Sequence, residues 1–156
     1  MGTPVQNNIE SVAPAQQLVI DYSPATGEEV SRAEKTDLSR FGDIVDAARS
    51  AQQQWRELSF KQRAKHIHKM HDYIIANSEK LAEVVSRSNG KTRTDAMIAE
   101  VMTSGLSCAW YAKNTEKVLK EKNRGSGSLL MLNKRYKIVH QPLGVVGIIS
   151  PWNYPL

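Results

Sequence analysis

The chain of 156 residues has the length of a single domain, is 40% hydrophobic and 24% charged, and has no apolar run long enough to span a membrane. Its one cysteine, Cys108, excludes an internal disulfide framework, and we expect a cytoplasmic protein. The net charge of +5 would suit binding to nucleic acid, but acidic residues interrupt the basic cluster at residues 113–124. This pattern is typical of a solvated helix face. We therefore expect neither nucleic acid nor a membrane as a partner.

The N-terminal part predicts a disordered lead-in followed by a β-hairpin. Residues 1–17 are polar and lack the charged-then-apolar pattern of a secretion signal. Residues 18–22 form an apolar, β-branched run, and residues 30–34 can return as a second strand. Proline, glycine and small polar residues between them predict the turn.

Two helices are predicted after this hairpin. Apolar residues recur at steps of three and four over residues 39–58, which predicts a helix with one apolar face. Ser59 and Gln62 then form a capping box, because each can accept a hydrogen bond from the backbone of the other. The second helix begins there. The apolar positions of the first helix are Phe41, Ile44, Val45, Ala48, Ala51 and Trp55, and those of the second are Ala64, Ile67, His71 and Ile74.

Two further helices complete the helical part. The third begins near Asn77, and Asn89 with Gly90 supplies a left-handed stop. A second capping box at residues 92–95 opens the longest helix, which runs to about residue 122. Small residues along this helix would permit close approach by another helix. Its apolar stripe is Met97, Val101, Ser104, Cys108, Ala112, Thr115 and Leu119.

Two groups of reactive side chains in these helices favour structural roles. His66, His68 and His71 do not share one helix face, and no further ligand joins them at zinc spacing, so we expect no metal. Cys108 lies in an apolar stripe with no neighbouring histidine in sequence. It is therefore expected to be a buried, inert thiol.

A second hairpin is predicted after a flexible break at residues 124–128. Residues 129–132 and 136–140 are apolar or β-prone, and they flank a polar turn at residues 133–135. Such a hairpin can pack within its own chain or against another subunit.

The last sixteen residues form a short apolar run followed by a stiff loop. Residues 145–149 suit a strand buried on both faces, as in a parallel sheet. Ligands bind past the carboxyl ends of such strands, and that position falls on residues 150–153. Pro151 and Pro155 restrict the loop. Asn153 is either a turn former or a hydrogen-bond donor aimed at a ligand oxygen.

This stretch resembles the signature of the NAD(P)-dependent aldehyde dehydrogenase superfamily. The resemblance gives Asn153 the role of oxyanion-hole donor and makes Ile149, Ser150, Pro151 and Trp152 the cofactor-contacting strand end. The turn at residues 23–28 also resembles the family, and the likeness covers residues 18–156. The signature reads Pro142-Leu143-Gly144-Val145-Val146-Gly147-Ile148-Ile149-Ser150-Pro151-Trp152-Asn153-Tyr154-Pro155.

The resemblance implies an α/β fold that comprises the N-terminal hairpin, about four helices, an oligomerisation-type hairpin and the first strand of an incomplete Rossmann-like cofactor sheet. The implied divisions are 1–17 (lead-in), 18–124 (helical part of the cofactor domain), 125–141 (hairpin) and 142–156 (first strand and oxyanion loop). Glu100 lies where the family often has an acidic residue near a monovalent-cation site, or else it is a solvated helix charge.

The implied reaction is oxidation of an aldehyde to a carboxylic acid with NAD or NADP, by a homodimer or homotetramer. Cys108 does not match the family's nucleophile, which follows the Pro-Trp-Asn motif, and the general base has no counterpart in these residues. We therefore expect a fragment that is inactive alone. The alternative is a stand-alone helical protein-interaction module without catalysis.

Overall fold

The computed structural model describes residues 17–125, residue 130 and residues 134–156. Within them, two strands precede a helical region, as the sequence predicts, and two strands follow it, where the sequence predicts three. The elements are β1 (Leu18–Tyr22), β2 (Glu29–Glu34), a 3-10 turn (Leu38–Arg40), α1 (Phe41–Glu57), α2 (Phe60–Ala76), α3 (Ser78–Asn89), α4 (Arg93–Asp95), a π-helical segment (Ala96–Met102), α5 (Thr103–Leu119), β3 (Lys122–Gly125) and β4 (Arg135–Ile138).

The predicted N-terminal hairpin is confirmed, because β1 and β2 pair antiparallel. Its turn closes through two backbone bonds of 2.8 Å, in which Ser23 donates to Glu28 and Gly27 donates to Ser23. Gly27 has a φ of 74°, which glycine adopts without steric cost. The predicted lead-in at residues 1–17 lies outside the described residues except for Gln17.

The predicted helix boundaries agree with the structure where a capping residue defines the helix end. Ser59 Oγ accepts from the Gln62 amide at 3.3 Å, and Gln62 Oε1 accepts from the Ser59 amide at 2.8 Å. Gly90 ends α3 with a φ of 79°. Thr92 Oγ1 accepts from the Asp95 amide at 3.0 Å. The long helix differs in two respects: it ends at Leu119, and its first turns contain the π-helical segment.

The core lies where α2, α3, the π-helical segment and α5 meet. Gly105 of α5 lies so close to α2 that a Cβ there would come within 3.2 Å of the Ile75 Cδ1 atom. This confirms the predicted role of small residues in helix approach. The buried apolar residues are Ile74, Ala82, Val85, Ala96, Val101 and Cys108.

The apolar face of α1 is exposed or half-buried rather than buried. Phe41, Ile44 and Trp55 all keep much of their surface in contact with solvent. The prediction of the helix was right, but burial also needs a partner surface. Among the described residues, Trp55 packs edge-on against His66 of α2, but no side chain of α1 becomes buried.

In the described residues, the second predicted strand of this region pairs with a segment that the sequence did not predict to be extended. β4 contains most of the predicted residues 136–140, yet it pairs antiparallel with β3, with Lys122 opposite Ile138 and Arg124 opposite Tyr136. The predicted partner residues 129–132 lie outside the described part except for Leu130, which is not in a strand. The sequence predicts a helix end near residue 122 and a flexible break at residues 124–128, and the composition of residues 122–125 also disfavours a strand. Pairing with β4 overrides that preference.

Residues 145–149 pair with no strand in the part of the chain that the structure describes. Ile148 and Ile149 are exposed, the latter at 100% of its reference surface. The expected burial on both faces is therefore wrong for this chain. A parallel strand gains burial and ladder bonds from its neighbours, and the described residues supply no neighbour. None of the described helices is long and apolar enough to cross a membrane.

Candidate functional site

The Pro-Trp-Asn loop is a turn on the surface. The Tyr154 amide donates to the Pro151 carbonyl at 3.4 Å, which places Trp152 and Asn153 at the corner. Trp152 is 81% exposed, and Asn153 is exposed as well. The predicted cofactor-contacting residues Ile149, Ser150 and Pro151 precede the corner and are also exposed. The five predicted site residues thus form one continuous exposed stretch.

Lys91, in the short link between α3 and α4, holds this turn. Its Nζ donates to the backbone carbonyl of Asn153 at 2.7 Å. The same ammonium lies 4.2 Å from the ring centroid of Tyr154, a distance at which the aromatic face attracts a cation. Lys91 and Asn153 are 62 residues apart in sequence. The loop is therefore fixed by a long-range contact as well as by its prolines.

Glu100 completes the arrangement from the π-helical segment. It is only 3% exposed, and one carboxylate oxygen forms an ion pair with Lys91 Nζ. The other oxygen accepts from the Leu156 amide at 3.2 Å. A buried carboxylate is costly unless it is paired, and here both oxygens have partners. The interpretation of Glu100 as a solvated helix charge is therefore wrong.

The backbone of Lys91 is itself fixed. Its amide donates to Asn89 Oδ1 at 3.1 Å, and its carbonyl accepts from Ser86 Oγ at 2.7 Å. Gly90, the residue before it, is in the left-handed conformation that ends α3. The side chain thus starts from a defined position.

Sequence reasoning missed this arrangement. In the sequence, Asn89 and Gly90 indicate only a helix stop, and nothing marks Lys91 as part of a site. One signal was available: Glu100 lies between Met97 and Val101, which both belong to the apolar stripe. A charged residue at such a position needs a buried partner. The partner's identity could not be inferred, because it depends on how α3 and the π-helical segment pack.

The side chains set aside in the sequence lie elsewhere. Cys108 is a free, buried thiol in the core, as expected. His66 packs edge-on against Trp55, with ring centroids 5.4 Å apart. His71 Nδ1 lies 3.0 Å from Asp72 Oδ1. Among the described residues, no three histidine, cysteine or acidic side chains come together as a metal site.

The helical domain with its surface asparagine turn matches the N-terminal part of solved aldehyde dehydrogenase structures. The succinate-semialdehyde dehydrogenase of Burkholderia pseudomallei superposes with a TM-score of 0.77 at 29% sequence identity, over 89% of this chain and 28% of that chain. The profile of the Aldehyde dehydrogenase family matches residues 12–156. The chain belongs to the aldehyde dehydrogenase family.

Curated relatives agree with this assignment. The succinate semialdehyde dehydrogenase (NAD(P)+) Sad of Escherichia coli K12 is 31% identical over 146 residues, which cover 94% of this chain and 30% of that protein. The NADP-dependent glyceraldehyde-3-phosphate dehydrogenase of Streptococcus equinus is 31% identical over 136 residues, covering 86% and 28%. The chain therefore spans less than a third of the length of these relatives.

Proposed function

We propose that this chain is the N-terminal part of an oxidoreductase that oxidises an aldehyde to a carboxylic acid with NAD(P)+. The observation that carries the proposal is the Pro-Trp-Asn loop, which has Asn153 at its corner and its Asn153 carbonyl held by Lys91. Family membership and the names of the relatives support the reaction class. Those names include both NAD(P)+ and NADP, so the proposal covers either cofactor.

The role proposed for Asn153 is electrostatic. When a thiolate adds to an aldehyde, the carbonyl oxygen becomes negative, and a donor already in place stabilises it without reorganisation. The side-chain amide of Asn153 would donate to that oxygen. Cys108, the chain's one cysteine, is buried in the core, so we place the attacking thiolate outside these 156 residues. The resemblance to the family places the base that activates water outside them as well.

The cofactor would lie along the strand end before Asn153. Ile149 and Trp152 expose apolar surface, and Ser150 adds a hydroxyl, a set that fits one edge of a nicotinamide nucleotide. Ile149, Ser150, Pro151 and Trp152 are the residues that would hold it. When bound, the nicotinamide supplies the hydride acceptor. The residues of this chain orient it and exclude water on one side only.

We also propose that the second hairpin, in the division at residues 125–141, contacts another subunit in a homodimer or homotetramer. Tyr136, Ile138 and Val139 expose apolar surface there, and all of β4 is exposed. Exposed apolar strands are typical of interfaces.

The expected cellular location of the protein is the cytoplasm.

The stand-alone interaction module is the less favoured alternative. A module that folds by itself buries its apolar runs, whereas residues 145–149 are largely exposed. The exposure of residues 145–149 therefore favours the hypothesis that this chain is a fragment of a larger enzyme.

A hybrid enzyme tests the role of Asn153. Residues 12–156 would replace the matching part of the E. coli relative, and Asn153→Ala would be compared with the parent hybrid. Loss of one oxyanion donor should lower kcat by about 10²–10³. Asn114→Ala is the matched control, because Asn114 donates to the Trp110 carbonyl on the outside of α5. Equal loss in both variants, or loss in neither, would contradict the proposal.

A further inference from the structure

We propose that Lys91 is a positioning residue whose ammonium serves as the built-in cation of the Asn153 loop. This inference rests on the proposed role of Asn153, which it deepens by naming what aims that side chain. Lys91 does not touch the reacting atoms. It holds the backbone from which the Asn153 carboxamide projects.

The surroundings of the ammonium are those of a cation site. Three kinds of group converge on Lys91 Nζ: a carboxylate from Glu100, a backbone carbonyl from Asn153 and the aromatic face of Tyr154. Each of them attracts positive charge. An ammonium has three N–H donors, and two are accounted for by oxygen partners. The protein thus fills this position with its own side chain.

The contacts reach both sides of the rigid Pro155. Asn153 is held through its carbonyl and Tyr154 through its ring, while Glu100 holds the Leu156 amide. A peptide group is planar, so fixing the Asn153 carbonyl also fixes the following amide. The direction of the Asn153 side chain then depends mainly on its own rotamer.

The support is rigid because both charged groups are shielded. The Lys91 side chain is 20% exposed and that of Glu100 is 2% exposed. Screening by water and salt is weak at such positions, so the pair holds its geometry better than a surface ion pair does. By contrast, the Lys137–Glu121 pair on the second hairpin is 61% and 58% exposed.

The first experiment needs no substitution in the Lys91 ion pair. In NMR spectra of the 156-residue chain, ring current from Tyr154 should shift the Lys91 ε-methylene upfield of the other lysines. The ammonium should also show a hydrogen-bond coupling to the Asn153 carbonyl carbon. Tyr154→Leu should abolish the upfield shift and leave the coupling. A Lys91 signal at the position of Lys137 in the unsubstituted chain would overturn the proposal.

The second experiment measures loop order by hydrogen exchange. Lys91→Met/Glu100→Gln removes the ion pair and the contacts of the ammonium with the loop without leaving a buried charge unpaired, so the fold should persist. Exchange at the amides of residues 154 and 156, which donate to the Pro151 carbonyl and to Glu100, should accelerate about tenfold or more, while α3 amides stay unchanged. The control Lys137→Met/Glu121→Gln should change none of these rates. Unaltered loop exchange in the first variant would overturn the proposal.

The two hypotheses fail separately. If Asn153→Ala does not slow the hybrid enzyme, the oxyanion role is lost, but the exchange result still stands. If the Lys91→Met/Glu100→Gln chain keeps its loop protection, the positioning role is lost, but Asn153 can still be the donor. In the hybrid, loss of positioning should lower kcat and leave KM nearly unchanged, because the aldehyde's binding contacts remain.

Discussion

A single buried carboxylate determines how much Lys91 matters to stability. Glu100 has its charge compensated by Lys91 and by the Leu156 amide. Removing one member of a buried pair leaves the other charge without a partner in a low-dielectric environment. The cost of each single substitution should therefore exceed that of the double one.

We expect Lys91→Met alone to lower the free energy of unfolding by about 3–5 kcal/mol. Lys91→Met/Glu100→Gln should recover most of that loss, because no buried charge remains. Urea titrations followed by circular dichroism measure the difference. Lys137→Met, at the exposed pair, should change stability by about 1 kcal/mol or less. Equal losses in the single and double variants would show that the two charges are not coupled.

Gly90 is a second residue whose identity is fixed by geometry. Its φ of 79° disfavours any side chain, and a Cβ would lie 2.8 Å from Pro24 Cγ in the N-terminal hairpin. Gly27 has a similar φ of 74°, but a Cβ there meets nothing within 4 Å. A substitution at Gly27 therefore introduces backbone strain alone, whereas the same substitution at Gly90 adds steric overlap with Pro24.

Gly27→Ala should cost about 1–2 kcal/mol, the penalty for a left-handed L-residue. Gly90→Ala should cost more, since the hairpin turn must also move away from α3. Thermal or urea unfolding of the two variants gives the comparison. If they lose the same stability, the approach of Pro24 contributes nothing.

At the scale of elements, the sequence predicted whatever is encoded locally. Capping side chains and a glycine stop lie within three residues of the helix ends they define, so α2, α3 and α4 begin or end where expected. The strand opposite β4 could not be predicted in this way. Its residues prefer other conformations, and they are extended because β4 supplies hydrogen-bond partners.

The π-helical segment is another element that local patterns do not encode. Apolar spacing over residues 92–119 is compatible with a continuous α-helix, yet the structure widens at Ala96–Met102. This segment carries Glu100, and a π-helical turn rotates the residues after it relative to an α-helix. The departure from regular geometry coincides with the residue that binds Lys91.

For the whole molecule, the candidate site was half predictable. The signature motif identified the loop residues 149–153, because these residues are consecutive in the sequence and therefore adjacent in the structure. The Lys91 contact joins positions 62 residues apart and follows from tertiary packing alone. The same holds for apolar faces: periodicity identified α1, but whether its face is covered depends on a partner surface that the sequence pattern does not specify.

We expect the 156-residue chain to show no dehydrogenase activity. Under the proposed function it would contribute a donor and one edge of a cofactor site, but its one cysteine is buried in the core. Formation of NADH or NADPH with a panel of aldehydes, including succinate semialdehyde, measures this directly. The hybrid enzyme serves as the positive control under the same conditions. Robust turnover by the chain alone would refute the fragment hypothesis.

The close approach of Gly90 to Pro24 has a further consequence for how this family can diversify. Gly90 meets the N-terminal turn, and the next residue, Lys91, meets the asparagine turn. Two surface turns that are far apart in sequence thus share one short junction. The residues at positions 24, 90, 91 and 100 should therefore covary among homologues. A substitution at one of them should be tolerated mainly when the others are substituted as well.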